Sequence, residues 1–156
     1  MDIRRELQKR FLFDLWCTRK LTDSITTAQP FDDQPACAAF LSHIINMQQI
    51  WFGRVIDMNI NNTQPWDEHK ISDIKPEAKK ANQLWLDLIG DHDMEMDEMI
   101  YYQNSNGVNH RSRFSEICRH LVIHGQYHRA QIKLFIERSG LDDPLIDYGQ
   151  YIKKIN

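Results

Sequence analysis

Three histidines, His120, His124 and His128, recur every four residues in the segment His120-Leu-Val-Ile-His-Gly-Gln-Tyr-His-Arg-Ala-Gln131. On an α-helix they form one stripe, with neighbours about 6 Å apart along the axis. Imidazole is the commonest protein ligand for metals, and two rings one turn apart can converge on one ion. All three cannot, because the outer pair is about 12 Å apart along the helix. The segment therefore supplies two thirds of a metal site. Spacing alone does not choose between the pairs His120/His124 and His124/His128.

The third ligand must come from another element. His43 is the candidate, on an apolar stripe with Phe40, Ile44, Met47, Ile50 and Trp51. A single histidine on an apolar face is more often a hydrogen-bonded core residue. The i, i+4 pair shifts the balance, because several buried imidazoles without a metal leave nitrogens that need partners. Three neutral imidazoles suit Zn²⁺, Ni²⁺ or Fe²⁺ and leave coordination positions open, as in catalytic sites.

Helices must position these residues. Leu7, Phe11, Leu15, Leu21 and Ile25 mark a first helix over about 3–27, capped by Asp2. Pro30 and Asp32-Asp-Gln-Pro35 break it, and a second helix carrying His43 follows over about 35–58. Residues 59–73 lack periodicity and form a loop long enough for a functional or interface role. Pro76 suits the first turn of a third helix over about 76–99, which Gly90-Asp91 would weaken. Asn104-Ser-Asn-Gly107 between two short runs suggests a small β-hairpin near 100–112. A fourth helix starts near 112–115 and ends at Gly140, and the tail 142–148 adds a short helix. Four such helices make an all-α bundle in a single domain over 1–156.

Composition narrows the function classes. The formal net charge of −3, without a basic block, argues against nucleic acid as the main partner. No apolar run approaches the roughly 18 residues that span a bilayer, and no secretory signal is present. Cys17, Cys37 and Cys118 lack paired spacing and read as reduced thiols, so a cytoplasmic location is expected.

The run His120-x-x-x-His124-Gly-x-Tyr-His128-Arg-x-Gln131, together with His43-Ile and Trp51 on the second helix, resembles the signature of the DinB/YfiT-like superfamily of metal-binding four-helix bundles. The resemblance covers nearly the whole chain. It implies that His43, His124 and His128 bind one divalent ion (Zn, Ni, Fe or Mn), with His120 a supporting residue one turn away. It implies up-down-down-up topology and a homodimer. It also implies transfer of a low-molecular-weight thiol to an electrophilic small molecule, with two alternatives: a metal-dependent hydrolase, or a non-enzymatic metal-binding bundle in stress response. Ile123, Ala130 and Gln48 depart from the pattern, which bears on the groups that tune the metal.

His120, Gln48, Trp51, Arg129 and Gln131 are the further pocket or supporting candidates. Each has a plainer reading. Arg129 more simply forms an ion pair with a neighbouring helix, Gln131 a hydrogen bond, and Trp51 a core contact. Gly125 inside the helix costs roughly 1 kcal/mol against Ala and suggests a close approach of another group. Tyr127 is expected at the surface, as are His69, His92 and His110, and Cys118 as a packed thiol.

Overall fold

The computed structural model describes residues 2–58 and 62–156. Residues 59–61, the start of the expected 59–73 loop, lie outside the described residues. The elements run α1 (Ile3–Thr27), α2 (Gln34–Val55), α3 (Ile71–Gly90), β1 (Met99–Gln103), β2 (Asn109–Arg113), α4 (Phe114–Arg138) and α5 (Tyr148–Ile155). Asp2 caps α1, its side chain accepting from the Arg4 N–H. Arg138 is followed by Ser139 and Gly140, whose φ of +72° lets the Gly140 N–H reach Glu137 O and the Leu141 N–H reach Ile136 O. That paired closure satisfies the last carbonyls of α4.

Side-chain pairs give the helix directions. Phe11 lies against Asn82 and Trp85, and Asp23 against Lys75, so α1 and α3 are antiparallel. Phe40 meets Phe135, His43 meets His124, and Trp51 meets His120, so α2 and α4 are antiparallel. Leu41 and Ile45 share one cluster with Ile74, Ala78 and Ala81, and Trp51 and Val55 share another with Trp85 and Ile89, so α2 and α3 are parallel, while Asp14 and Thr18 both bond Arg129. The bundle is thus up-down-down-up, with the long 56–70 connection joining the two parallel middle helices.

Two hydrophobic clusters fill it. One holds Phe13, Leu21, Leu41, Ile45, Ile74, Ile132 and Ile136, with Ile146 and Tyr151 of the C-terminal segment packed on it. The other holds Leu7, Phe11, Trp51, Trp85, Ile100, Phe114, Ile117 and Leu121. Along every main helix a buried polar residue falls between the two: Asp14, Gln48, Asn82 and Arg129. A polar layer therefore crosses the bundle at mid-height.

Three helices differ from expectation in their bounds. The third helix spans Ile71–Gly90, not 76–99. Ile74, Ala78, Ala81, Trp85 and Ile89 set its buried stripe, and that stripe starts before Pro76. Pro76 is tolerated inside because the Ser72 carbonyl it leaves unpaired sits in an exposed turn. Beyond Gly90 the Asp91 carboxylate accepts from the Asp93 N–H, a local turn that competes with helix. Met99 consequently begins β1, which pairs with β2 in the register Met99↔Arg113 to Gln103↔Asn109. The second helix ends at Val55, and Asp57 turns left-handed at φ 53°. The tail helix lies at 148–155, capped by Asp147, rather than within 142–148.

Candidate metal centre

His43, His124 and His128 come together where α2 faces α4, level with the polar layer. One ring nitrogen of each lies within 4.8 Å of the others. The ring centroids are 4.6–5.0 Å apart, and the planes are steeply inclined, at 58–90°. Such inclination points nitrogens at a shared centre rather than stacking faces. His120 stays outside, its centroid 5.8 Å from that of His124 and its other side against Trp51. Helical spacing left two pairs open, and the position of α2 brings His43 to His124 and His128.

The outer nitrogens are committed. His43 Nδ1 lies 2.7 Å from Pro65 O, and a carbonyl oxygen only accepts, so Nδ1 carries the proton. His128 Nδ1 likewise lies 2.7 Å from Gln131 Oε1. Both bonds leave Nε2 as a lone pair, the form that ligates a metal. His43 Nε2 faces His124 Nε2 at 3.2 Å. With the His124 proton on Nε2 this is a hydrogen bond to His43; with it on Nδ1 two lone pairs face each other, the arrangement that a cation would bridge. Burial first, and then the neighbouring His128, His43 and His120 and Arg129, push the His124 pKa down to about 4. Burial also lowers His43. His43 and His124 are therefore neutral at pH 7. The donor set fits a divalent transition-metal ion.

The loop after α2 builds the outer wall. Asn46 donates to Asp67 O at 2.7 Å and accepts from His69 Nε2 at 2.8 Å, while the His69 N–H reaches Ser42 Oγ at 3.0 Å. These bonds hold Pro65 O over His43. Trp66 stacks flat on the His43 ring, with centroids 3.8 Å apart and planes 5° apart, and Phe40 stacks on His128. None of Asn46, Pro65 and Trp66 was a sequence candidate. The expectation of an exposed His69 is corrected: it is half-buried and pinned to Asn46. His92, His110 and Tyr127 are exposed, and Cys118 is a buried free thiol.

The other candidates divide. Gln131 reaches His128. Gln48 and Arg129 turn into the polar layer instead of towards the histidines. Arg129 is fully buried, with Nη2 2.6 Å from Asp14 Oδ1, Nη1 3.2 Å from Thr18 Oγ1 and Nε 2.7 Å from Gln126 Oε1. Gln48 Nε2 donates to Asp14 Oδ2 at 2.7 Å. An acidic side chain at 48 would set a second carboxylate against Asp14, so the amide suits this interior. Gly125 makes room for the pair, since a Cβ there would stand 2.7 Å from Asp14 Oδ1 and 2.8 Å from Arg129 Nη2. Trp51 packs against Tyr102 and His120 rather than against the three ligand candidates.

No described helix is long and apolar enough to cross a membrane. The sequence model of the DinB family matches residues 10–155. No curated protein and no solved structure matches the chain.

Proposed function

From the premise that the chain belongs to the DinB family, we propose that His43, His124 and His128 hold one divalent ion, Zn, Ni, Fe or Mn, and that the protein transfers a low-molecular-weight thiol to an electrophilic small molecule. The observation that carries the first part is the convergence of three imidazoles on one point with the outer nitrogens of two already bonded. Three protein ligands leave room for an exogenous one. An ion held there supplies Lewis acidity, favouring the thiolate of a bound thiol at neutral pH, or hydroxide in the hydrolytic alternative.

The chain's own residues prepare that chemistry. Pro65 O and Gln131 fix the tautomers of His43 and His128. Trp66 and Phe40 cover two ring faces and limit water on that side. No general acid or base is assigned. The implied homodimer would use the outer face of α4, where Ile123, Tyr127 and Leu134 are each 65–68 % exposed. Sedimentation of the protein reads that directly.

The test is metal analysis of protein purified without a histidine tag, beside His43→Ala and His128→Ala. The parent is expected to carry near-stoichiometric metal and either variant to lose it. A parent that takes up no divalent ion overturns the site. The metal-loaded protein, incubated with bacillithiol, mycothiol or glutathione and a generic electrophile, should give metal-dependent conjugation. No turnover with any of the three overturns the transferase reading and leaves the metal-binding bundle.

A further inference from the structure

Pro65 meets His43 through a main-chain carbonyl. Any residue at 65 would carry that group, so other side chains must deliver it. Asn46 follows His43 by three residues on α2, and both side chains leave the same face of the helix. Asn46 is fully buried. One end of its amide lies 2.7 Å from Asp67 O and 3.4 Å from Pro65 O. Carbonyl oxygens only accept, so that end is the NH₂ group. The amide oxygen must then face His69 Nε2, 2.8 Å away, and that nitrogen must carry a proton.

These polarities make one ordered chain of hydrogen bonds. His69 is itself fixed, its backbone N–H on Ser42 Oγ at 3.0 Å, while the Ser42 hydroxyl donates to Ala38 O at 2.8 Å. His69 Nε2–H donates to the Asn46 oxygen, and the Asn46 NH₂ donates to Asp67 O and Pro65 O. Pro65 O accepts from His43 Nδ1–H, which leaves His43 Nε2 as a lone pair towards His124 and His128. The turn between is closed on itself, with the Asp67 N–H on Gln64 O at 3.3 Å and the Gln64 N–H on Asp67 Oδ2 at 2.8 Å. Pro65 and Trp66 therefore move as one unit, and Asn46 holds that unit to α2. A leucine of nearly the same shape at 46 would leave His69 Nε2 and two carbonyls without their partner. His128 takes no part, because its Nδ1 lies on Gln131.

We propose that Asn46 is a positioning residue for the metal: its amide, oriented by His69, holds the 64–67 turn so that Pro65 O selects the tautomer and ring setting in which His43 offers Nε2 to the ion. The part that concerns the ion rests on the metal-site reading, whereas the tautomer of His43 does not. The linkage runs both ways. A cation on Nε2 makes Nδ1–H a stronger donor to Pro65 O, so the filled site grips the turn, and Trp66 with it, more tightly.

Nitrogen NMR of the imidazoles in the metal-free full chain reads the tautomers, and competition with a chromophoric chelator reads Zn²⁺ affinity. The parent should show His43 protonated on Nδ1. Asn46→Leu should move His43 out of that single tautomer, leave His128 unchanged, and weaken Zn²⁺ binding by about 10–100-fold. His69→Ala frees the amide to turn and should move both readings the same way. Zn²⁺ should also slow hydrogen exchange at the His69 backbone N–H of the parent. An unchanged His43 tautomer in both variants overturns the proposal. So does a change shared equally by His43 and His128, which would mark a general loosening of the bundle. Exchange that bound Zn²⁺ leaves unaltered overturns the two-way linkage. If the parent takes up no Zn²⁺, the metal reading fails alone, and the tautomers of the metal-free protein still decide the role of Asn46. Circular dichroism certifies the fold of each variant, and His69→Ala carries the comparison where Asn46→Leu does not fold.

Discussion

The bundle carries two polar groups at mid-height, both built largely on α4, and they are opposite in kind. On one face Arg129 joins buried Asp14, Thr18 and Gln48, and half-buried Gln126, in a network in which each named partner is used. On another, His124 and His128 meet His43 with ring nitrogens turned at one another and no protein group between them. The first arrangement is complete in itself and fixes how α1, α2 and α4 pack. The second turns its nitrogens on a shared centre, an arrangement that a bound ion would complete. Burial of polar side chains therefore does not by itself identify a site in this protein, and the state of their lone pairs does.

The largest test of that division is Arg129→Met. It leaves the Asp14 carboxylate buried and uncompensated, so unfolding free energy should fall by about 3–5 kcal/mol. Urea denaturation measures it. Adding Asp14→Leu should restore much of the loss, since a matched apolar pair carries no desolvation cost. Metal bound per folded molecule should stay near that of the parent in both. Loss of metal in the repaired double variant would break the division between the two groups.

Gly125→Ala probes the same network from the backbone. Helix propensity favours Ala by about 1 kcal/mol. The new Cβ, however, would stand 2.7 Å from Asp14 Oδ1 and 2.8 Å from Arg129 Nη2, two atoms locked by their own bond. Overpacking of this kind typically costs about 1–3 kcal/mol, so the net effect should be destabilising. A variant more stable than the parent would mean that the pair can shift aside cheaply.

The two groups were not equally legible in the sequence. The i, i+4 repeat of His124 and His128 is a property of one helix, and spacing alone gives it. The membership of His43, and the exclusion of His120, depend on how α2 sits against α4. Resemblance to a family supplied that, because no local periodicity encodes it. Arg129 sits next to a ligand candidate in sequence, yet a 100° step turns it to a different helix neighbour. Its partner Asp14 lies 115 residues away. The loop contribution was the least visible: Pro65 acts through a carbonyl that every residue possesses, and Trp66 lies in a segment without a period. The early end of α3 was missed because a stripe of apolar residues looks continuous past Gly90, while the Asp91 turn that stops it is a side-chain event.

Gln131 is where sequence adjacency and the histidine group do coincide, and it offers a milder perturbation than removing a ligand. Its amide oxygen accepts from His128 Nδ1 at 2.7 Å. Gln131→Ala should lower metal affinity by about 10–100-fold, the usual effect of losing a group that orients a ligand, with little change in stability. Competition with a chromophoric chelator reads the affinity. Unchanged affinity would show that packing from Phe40 and Trp66 suffices to hold the ring.

Acid should separate the two regions least dramatically but most cleanly. His124 has its pKa pushed from 6.5 down to about 4 in the folded metal-free protein, first by burial and then by the adjacent imidazoles, and His43 and His120 are lowered as well. The unfolded chain therefore binds protons below about pH 6.5 that the folded chain refuses, and stability must fall as pH drops through that range towards 4. Glu6 and Asp143 are lowered from 4.5 and 3.8 by their arginine, lysine and backbone partners, the opposite sense for a carboxylate: they favour the folded state at higher pH as well. Denaturant midpoints of metal-free protein at pH 7 and pH 5 should differ, with His124→Gln flattening the slope. A bound metal excludes the proton from the ligand nitrogens and should steepen the loss only where acid begins to displace it. A metal-free midpoint independent of pH across this interval would mean that the imidazoles open to water once the ion is gone, and that the cluster is assembled by its guest rather than waiting for it.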